Sequence, residues 1–201
     1  MANGIEISAA VEGIVDEAVV RTLITHAGGK QGPVYGKQGK PFLRQRIAGY
    51  NNAAQQMPWI VLVDLDRDQE CAPPLRNAWL AQPPAAHLCF RVAVREVEAW
   101  LIADAERLAA FLGVPRNRVP ADPERLDEPK TTMVNLARSS RRRAIQEDMV
   151  PREGSGRQVG PAYSSRLIEF VSSLWRPDVA AGRSDSLRRA IDCLKLLANP
   201  P

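Results

Sequence analysis

The run Trp59-Ile60-Val61-Leu62-Val63-Asp64 constrains the fold more than any other segment of this chain. It is apolar up to its last residue, rich in β-branched side chains, and carries no polar residue in alternation. Such a run reads as a strand buried on both faces, and strands of that kind belong to parallel sheets covered by helices. Asp64 closes the strand and Asp66 follows two residues later. Both carboxylates therefore belong to the carboxyl end of the strand, the edge at which open α/β sheets bind ligands. Two neighbouring carboxylates that stay ionised repel one another and favour a bound cation. Hard oxygen donors suit Mg²⁺ or Mn²⁺ better than zinc.

A second acidic motif lies upstream. Residues 5–11 read as a strand, Glu12-Gly13 follows directly, and helical periodicity begins with Val15, Val19 and Leu23 on one face. Gly13 permits a sharp strand-to-helix turn. Glu12 then projects from the end of the first strand toward the edge where Asp64 emerges, and Asp16 lies one helical turn along the same face. Further strands are expected near 33–36 and at 88–94, with helices over 14–27, 41–56, 74–81 and 96–111. This alternation predicts an α/β fold, a parallel sheet flanked by helices.

The composition shifts after Pro115: residues 115–129 are rich in Pro, Asp and Arg and read as irregular. Helices are expected at 133–144, 163–175 and 187–197, the last capped by Ser184, with a loop over 150–160. The expected organisation is an α/β domain over 1–114 and a helical C-terminal extension over 115–201 packed on it.

The order Val11-Glu12-Gly13 followed by Asp64-Leu65-Asp66 resembles the TOPRIM (topoisomerase–primase) signature, in which a Glu follows the first strand and a D-x-D follows a later one. The segment Val11–Glu17 is most similar to the branch that contains OLD-type nucleases and small TOPRIM-like proteins. Glu98-Ala99-Trp100-Leu101-Ile102-Ala103-Asp104 resembles the E-x-W-L-x-A-D block of those small proteins, with weaker echoes at Pro129-Lys130 and Gly160-Pro161-Ala162-Tyr163. The resemblance implies a TOPRIM-like sheet that holds Mg²⁺ or Mn²⁺ and hydrolyses nucleic-acid phosphodiesters. It implies Glu12, Asp64, Asp66 and Glu98 as catalytic and metal-holding carboxylates, with Asp16 near them and Lys130 as a late lysine beside the metals. It further implies a separate ATPase partner in a defence or mobile-element setting. Nothing resembles the tyrosine-bearing domain of a topoisomerase, and the chain is short for a primase.

Each candidate has a competing structural assignment. Asp64 and Asp66 can cap a helix, Glu98 can pair with Arg91 or Arg95, and Asp104 can cap the helical stretch that begins at Ala105. Glu96 and Glu98 would point to opposite sides if both lay in a helix. Lys37 and Lys40, in a Gly-rich loop, can contact phosphates or stand in solvent. Arg138, Arg141, Arg142 and Arg143 form the sharpest basic cluster, a phosphate-binding patch or a solvated face. Trp59, Trp79, Trp100 and Trp175 are expected in the core.

Charge supports a polyanion partner. Residues 1–104 hold 10 Lys/Arg against 11 Asp/Glu, whereas 105–201 hold 17 against 12, so a near-neutral half with the acidic motifs precedes a basic one. The expected partner is nucleic acid, DNA ahead of RNA, with no membrane. No apolar stretch approaches the ~20 residues that span a bilayer, and no secretory signal is visible at the N-terminus, so a cytoplasmic location is expected. Cys71, Cys89 and Cys193 show neither metal nor disulfide spacing and are expected as reduced thiols. Neither a G-x-x-x-x-G-K-[ST] loop nor a G-x-S-x-G elbow is present. Two other readings stand beside the nuclease: a non-catalytic regulatory or interaction subunit of TOPRIM-like shape, and a phosphatase or nucleotide hydrolase using the same metal chemistry.

Overall fold

The computed structural model describes residues 4–200. Among them the chain divides into two compact units, one of residues up to Val94 joined by Ser186 onward, the other Arg95–Asp185.

The first unit is α/β. Four strands, β1 (Glu6–Val11), β2 (Lys30–Gly36), β3 (Trp59–Asp64) and β4 (Leu88–Ala93), form one sheet in the order β2-β1-β3-β4. Every pairing is parallel. The β3 span coincides with the apolar run, and all six of its residues are buried. The helices α1 (Ile14–His26), α2 (Lys40–Ala53) and α3 (Ala72–Trp79) connect successive strands. Alternation along the strands sorts the core into two faces. Val61, Val63, Phe90 and Val92 pack in one cluster with Leu43, Ile47 and Tyr50 of α2 and Leu75 and Trp79 of α3. On the other face Ile7 meets Ile24 of α1 around Gly29, where an added Cβ would lie 2.9 Å from Ile7 Cδ1.

The last helix joins this unit. Just beyond its end the Asn199 side chain donates to Ala27 O (3.4 Å), and within it the Ser186 hydroxyl accepts from Val94 N–H (3.4 Å).

The second unit is helical: α4 (Val97–Ala103), α5 (Ala105–Leu112), α6 (Pro129–Arg138), α7 (Arg143–Met149), α8 (Tyr163–Ser173) and α9 (Pro177–Ala181), followed by α10 (Asp185–Ala198), most of which belongs with the sheet. Every residue of α4 is buried, the carboxyl-bearing Glu98 included.

The division of the described residues falls at Val94/Arg95, with Ser186 onward grouped with the sheet. Two expectations about helices change. The single helix expected over 96–111 is two helices broken at Asp104. The helix expected over 133–144 ends at Arg138, and Arg141 and Arg142 lie in the turn before α7; Arg142 donates to Phe111 O at 3.0 Å. No helix of the described residues is long and apolar enough to cross a membrane.

Candidate functional site

The strand order places β1 between β2 and β3, so the chain leaves β1 toward one side and later returns to the other. The crevice between the carboxyl ends of β1 and β3 is the topological switch point of this sheet, the usual ligand position in such folds. Glu12 follows β1 and Asp64 ends β3. The Glu12 carboxylate accepts from the Asp64 backbone N–H at 2.8 Å, across 52 residues of chain.

A lysine completes the cluster. Lys40 opens α2, and its ammonium group lies 2.8 Å from both Asp66 Oδ2 and Asp68 Oδ2, and 3.3 Å from Leu65 O. The Lys40 side chain is only 14% exposed. Burial works against its charge, yet the bonds to Asp66 and Asp68 and the field of Glu12 hold its pKa above the ordinary lysine value. Lys40 is thus the counter-charge of an acidic loop, not a solvated side chain. Asp68 extends the D-x-D by one further step and did not stand out in the sequence.

The backbone at this edge is strained. Asp66 (φ 51°) and Lys37 (φ 63°) both occupy the left-handed region just beyond the ends of β3 and β2, where a non-glycine residue is uncommon and often marks a functional position. Lys37 N–H donates to Val11 O (2.8 Å) and Gly39 N–H to Glu12 O (3.0 Å), so the 37–39 loop is tied to the end of β1. The Lys37 ammonium meets Glu17 Oε2 at 3.0 Å. Burial works to raise the Glu17 carboxyl, but Lys37 and Arg21 hold it below its ordinary value. Asp16 is buried in the first turn of α1. Among the described residues, no group of three or more His, Cys, Asp or Glu side chains is gathered as a metal-ligand set.

The helical unit carries a separate cluster that unites three segments named above. Glu98 of α4, 3% exposed, accepts from the Tyr163 hydroxyl at 3.1 Å and lies 3.8 Å from the Lys130 ammonium. Lys130 N–H donates to Glu96 Oε2 at 2.7 Å, and its ammonium stands 3.5 Å from Glu96 Oε1. Glu96 precedes α4 in extended backbone, so the opposition expected of two helical residues does not apply and both carboxylates reach one lysine. The partners of Glu98 are therefore Lys130 and Tyr163 rather than Arg91 or Arg95. Burial raises the Glu98 carboxyl above its ordinary value, with Lys130 opposing and Glu96 reinforcing. Tyr163 is likewise pushed up, first by burial and then by Glu98. The Gly160–Tyr163 segment was visible in the sequence; the role of Tyr163 was not.

Asp104 is fully buried at the break between α4 and α5. It accepts from Arg107 N–H (3.4 Å), as a helix cap does, and from the Arg176 backbone N–H and guanidinium at 2.7 to 3.1 Å. Its cap role is present and Arg176 is its charge partner. In the basic cluster, Arg138 bonds Asn135 and Arg143 pairs with Glu147 at 2.8 Å. Arg141 is exposed, and its backbone N–H donates to Gly113 O at 3.2 Å. All four tryptophans are buried.

Compared with known proteins, the chain matches no family model, no curated protein and no solved structure.

Proposed function

We propose that this chain is a TOPRIM-like, Mg²⁺- or Mn²⁺-dependent phosphodiesterase that acts on nucleic acid. The contact between Glu12 and the Asp64 backbone at the sheet's switch point carries this reading. It brings the two halves of the acidic signature together at the edge where ligands bind. The donors available there, Glu12, Asp64 and Asp66, are hard carboxylate oxygens of the type these ions take. When bound, such an ion supplies Lewis acidity and an acidified water for phosphodiester hydrolysis.

The chain's own residues set the stage for that chemistry. The Asp64 N–H orients the Glu12 carboxylate. Lys40 holds Asp66 and Asp68 in place and contributes positive charge beside them. The resemblance alone gives Glu98 and Lys130 a catalytic role; in the fold they form a cluster of their own within the helical unit, with Tyr163 and Glu96. A DNA substrate, a separate ATPase partner and a cytoplasmic defence setting belong to the same proposal and rest on the resemblance.

One observation favours the second reading, a non-catalytic TOPRIM-like interaction subunit: Lys40 already bonds Asp66 and Asp68 and offsets one of their two charges, which lessens the loop's demand for a cation.

The deciding experiment is cleavage of labelled single- and double-stranded DNA and RNA with Mg²⁺, Mn²⁺ or EDTA, wild type beside Asp64→Ala. Metal-dependent cutting that disappears in the variant is the expected result. A folded protein that cuts no substrate with either metal overturns the nuclease reading in favour of the interaction subunit.

A further inference from the structure

A cavity of about 550 Å³ opens between the edge strand β2 and α2, within the 300–1,000 Å³ range of small-molecule sites. Its walls combine three aromatic rings, Tyr35, Phe42 and Tyr50, with the polar groups of Lys37, Gln45 and Arg46. Tyr35 is 47% exposed on the sheet edge, a large ring left in solvent although its inner neighbour stacks well. Trp59 lies behind both tyrosines, with ring centroids 5.4 Å from Tyr35 and 5.3 Å from Tyr50. Trp59 is 6% exposed, and its indole N–H has no hydrogen-bond partner among the described residues. The Arg46 guanidinium is 4.4 Å from the centre of the Phe42 ring. Gly49 leaves the α2 side open, since a Cβ built there meets nothing within 4 Å.

We propose that this pocket receives one nucleobase of the strand that the Glu12–Asp64 site acts on. The assignment rests on the nuclease reading for the strand, and on the pocket alone for the base. Flat rings backed by a rigid indole suit stacking, which every base offers regardless of sequence. Gln45 and Arg46 supply donors for base edges, and Arg46 also presents a planar cation. Lys37 connects pocket and site: it lines the cavity and its backbone is bonded to the end of β1 one residue before Glu12. A base held by the rings therefore sets its phosphate near Lys37, on the path toward Glu12. Its ammonium, anchored by Glu17, supplies positive charge on that path.

The test is binding of a fluorescein-labelled single-stranded oligonucleotide, followed by anisotropy in EDTA so that no cutting intervenes, beside the same strand with abasic positions. The proteins are wild type, Tyr35→Ala and Gly49→Leu; the last fills the cavity from a helical position with open space, so it keeps the fold. Wild type should bind the intact strand about tenfold or more tightly than the abasic one, and both variants should erase that ratio. Equal binding of the two strands by wild type, or an undiminished ratio in Gly49→Leu, overturns the pocket assignment. A mononucleotide that binds as tightly as the intact strand overturns the strand and places a free nucleotide there instead. Metal-dependent cutting with no preference for intact bases overturns the pocket and leaves the nuclease reading standing. Base-dependent binding in EDTA, together with no cutting of the same strand in Mg²⁺ or Mn²⁺, overturns the nuclease reading and leaves the pocket.

Discussion

The Tyr163 hydroxyl donates to a buried Glu98 carboxylate 65 residues earlier in the chain, at 3.1 Å. This bond ties the start of α8 to α4, the buried centre of the helical unit. The burial of Glu98, which this bond partly offsets, makes the unit's stability depend on pH.

Burial raises the Glu98 carboxyl above its ordinary 4.5, so the folded chain binds that proton more tightly than the unfolded one. The associated stability is present below about pH 4.5 and is lost as pH rises through the raised folded value. Tyr163→Phe removes a donor to the ionised form and should cost about 1–3 kcal/mol near neutral pH, with a smaller loss in acid. Glu98→Gln should flatten the dependence. Urea unfolding at about pH 4 and about pH 8 measures both effects, and a Tyr163→Phe deficit that does not grow with pH sinks this account.

Lys40→Met removes the ammonium that Asp66 and Asp68 share. The freed carboxylates repel and should recruit a divalent cation in its place. Millimolar Mg²⁺ should therefore raise the melting temperature of the variant more than that of wild type. Equal shifts would mean that the acidic loop does not respond to cations.

Gly36 and Gly49 predict opposite outcomes for one substitution. Gly36 has φ 88°, and its Cβ would stand 2.3 Å from Val11 O. Gly36→Ala therefore carries about 1–3 kcal/mol of backbone strain plus the clash with β1. Gly49 sits in α2 with open space around it, so Gly49→Ala should stabilise by roughly 0.8–1 kcal/mol. Denaturant midpoints that move the same way for both would contradict the local geometry.

Cys193 should be the reactive thiol of the sheet unit. Its sulfur accepts a hydrogen bond from Cys89, and with Arg91 and Arg76 nearby this outweighs partial burial to bring the pKa down to about 6. Cys89, buried in β4, is held protonated by that burial. The Cys193 contribution to stability is present above the ordinary thiol value of 9.0 and is lost as pH falls through about 6. In a Cys71→Ser background, iodoacetamide alkylation of Cys193 should reach half its maximal rate near that lower pH, and Cys89→Ala should move the midpoint up. A midpoint at the ordinary thiol value would remove the proposed thiolate.

Much of the sheet was legible because its strands follow a local rule. β3 is a short apolar β-branched run, and Gly36, at φ 88°, marks where the chain must turn. Glu12 and Asp64 could be placed at strand ends for the same reason, since a parallel sheet sends all its carboxyl ends to one edge. The helical part was less legible. Asp104 could be named as the cap of α5, but its charge partner Arg176 lies 72 residues away, and the end of α6 precedes three arginines that any local reading continues as helix.

By itself, the sequence determined where the four strands lie, though β2 starts at Lys30 in a stretch that reads as turn, together with the α/β class of the first unit and the edge at which Glu12 and Asp64 lie. Those follow from apolar periodicity and turn residues, which act over a few positions. Only the tertiary structure decided that α10 belongs with the sheet, that Lys40 closes on Asp66 and Asp68, and that Glu96, Glu98, Lys130 and Tyr163 meet. These pairings join residues far apart in the chain, and they form because burial leaves each charge or hydroxyl to find its partner across the fold, where neither spacing nor composition announces it.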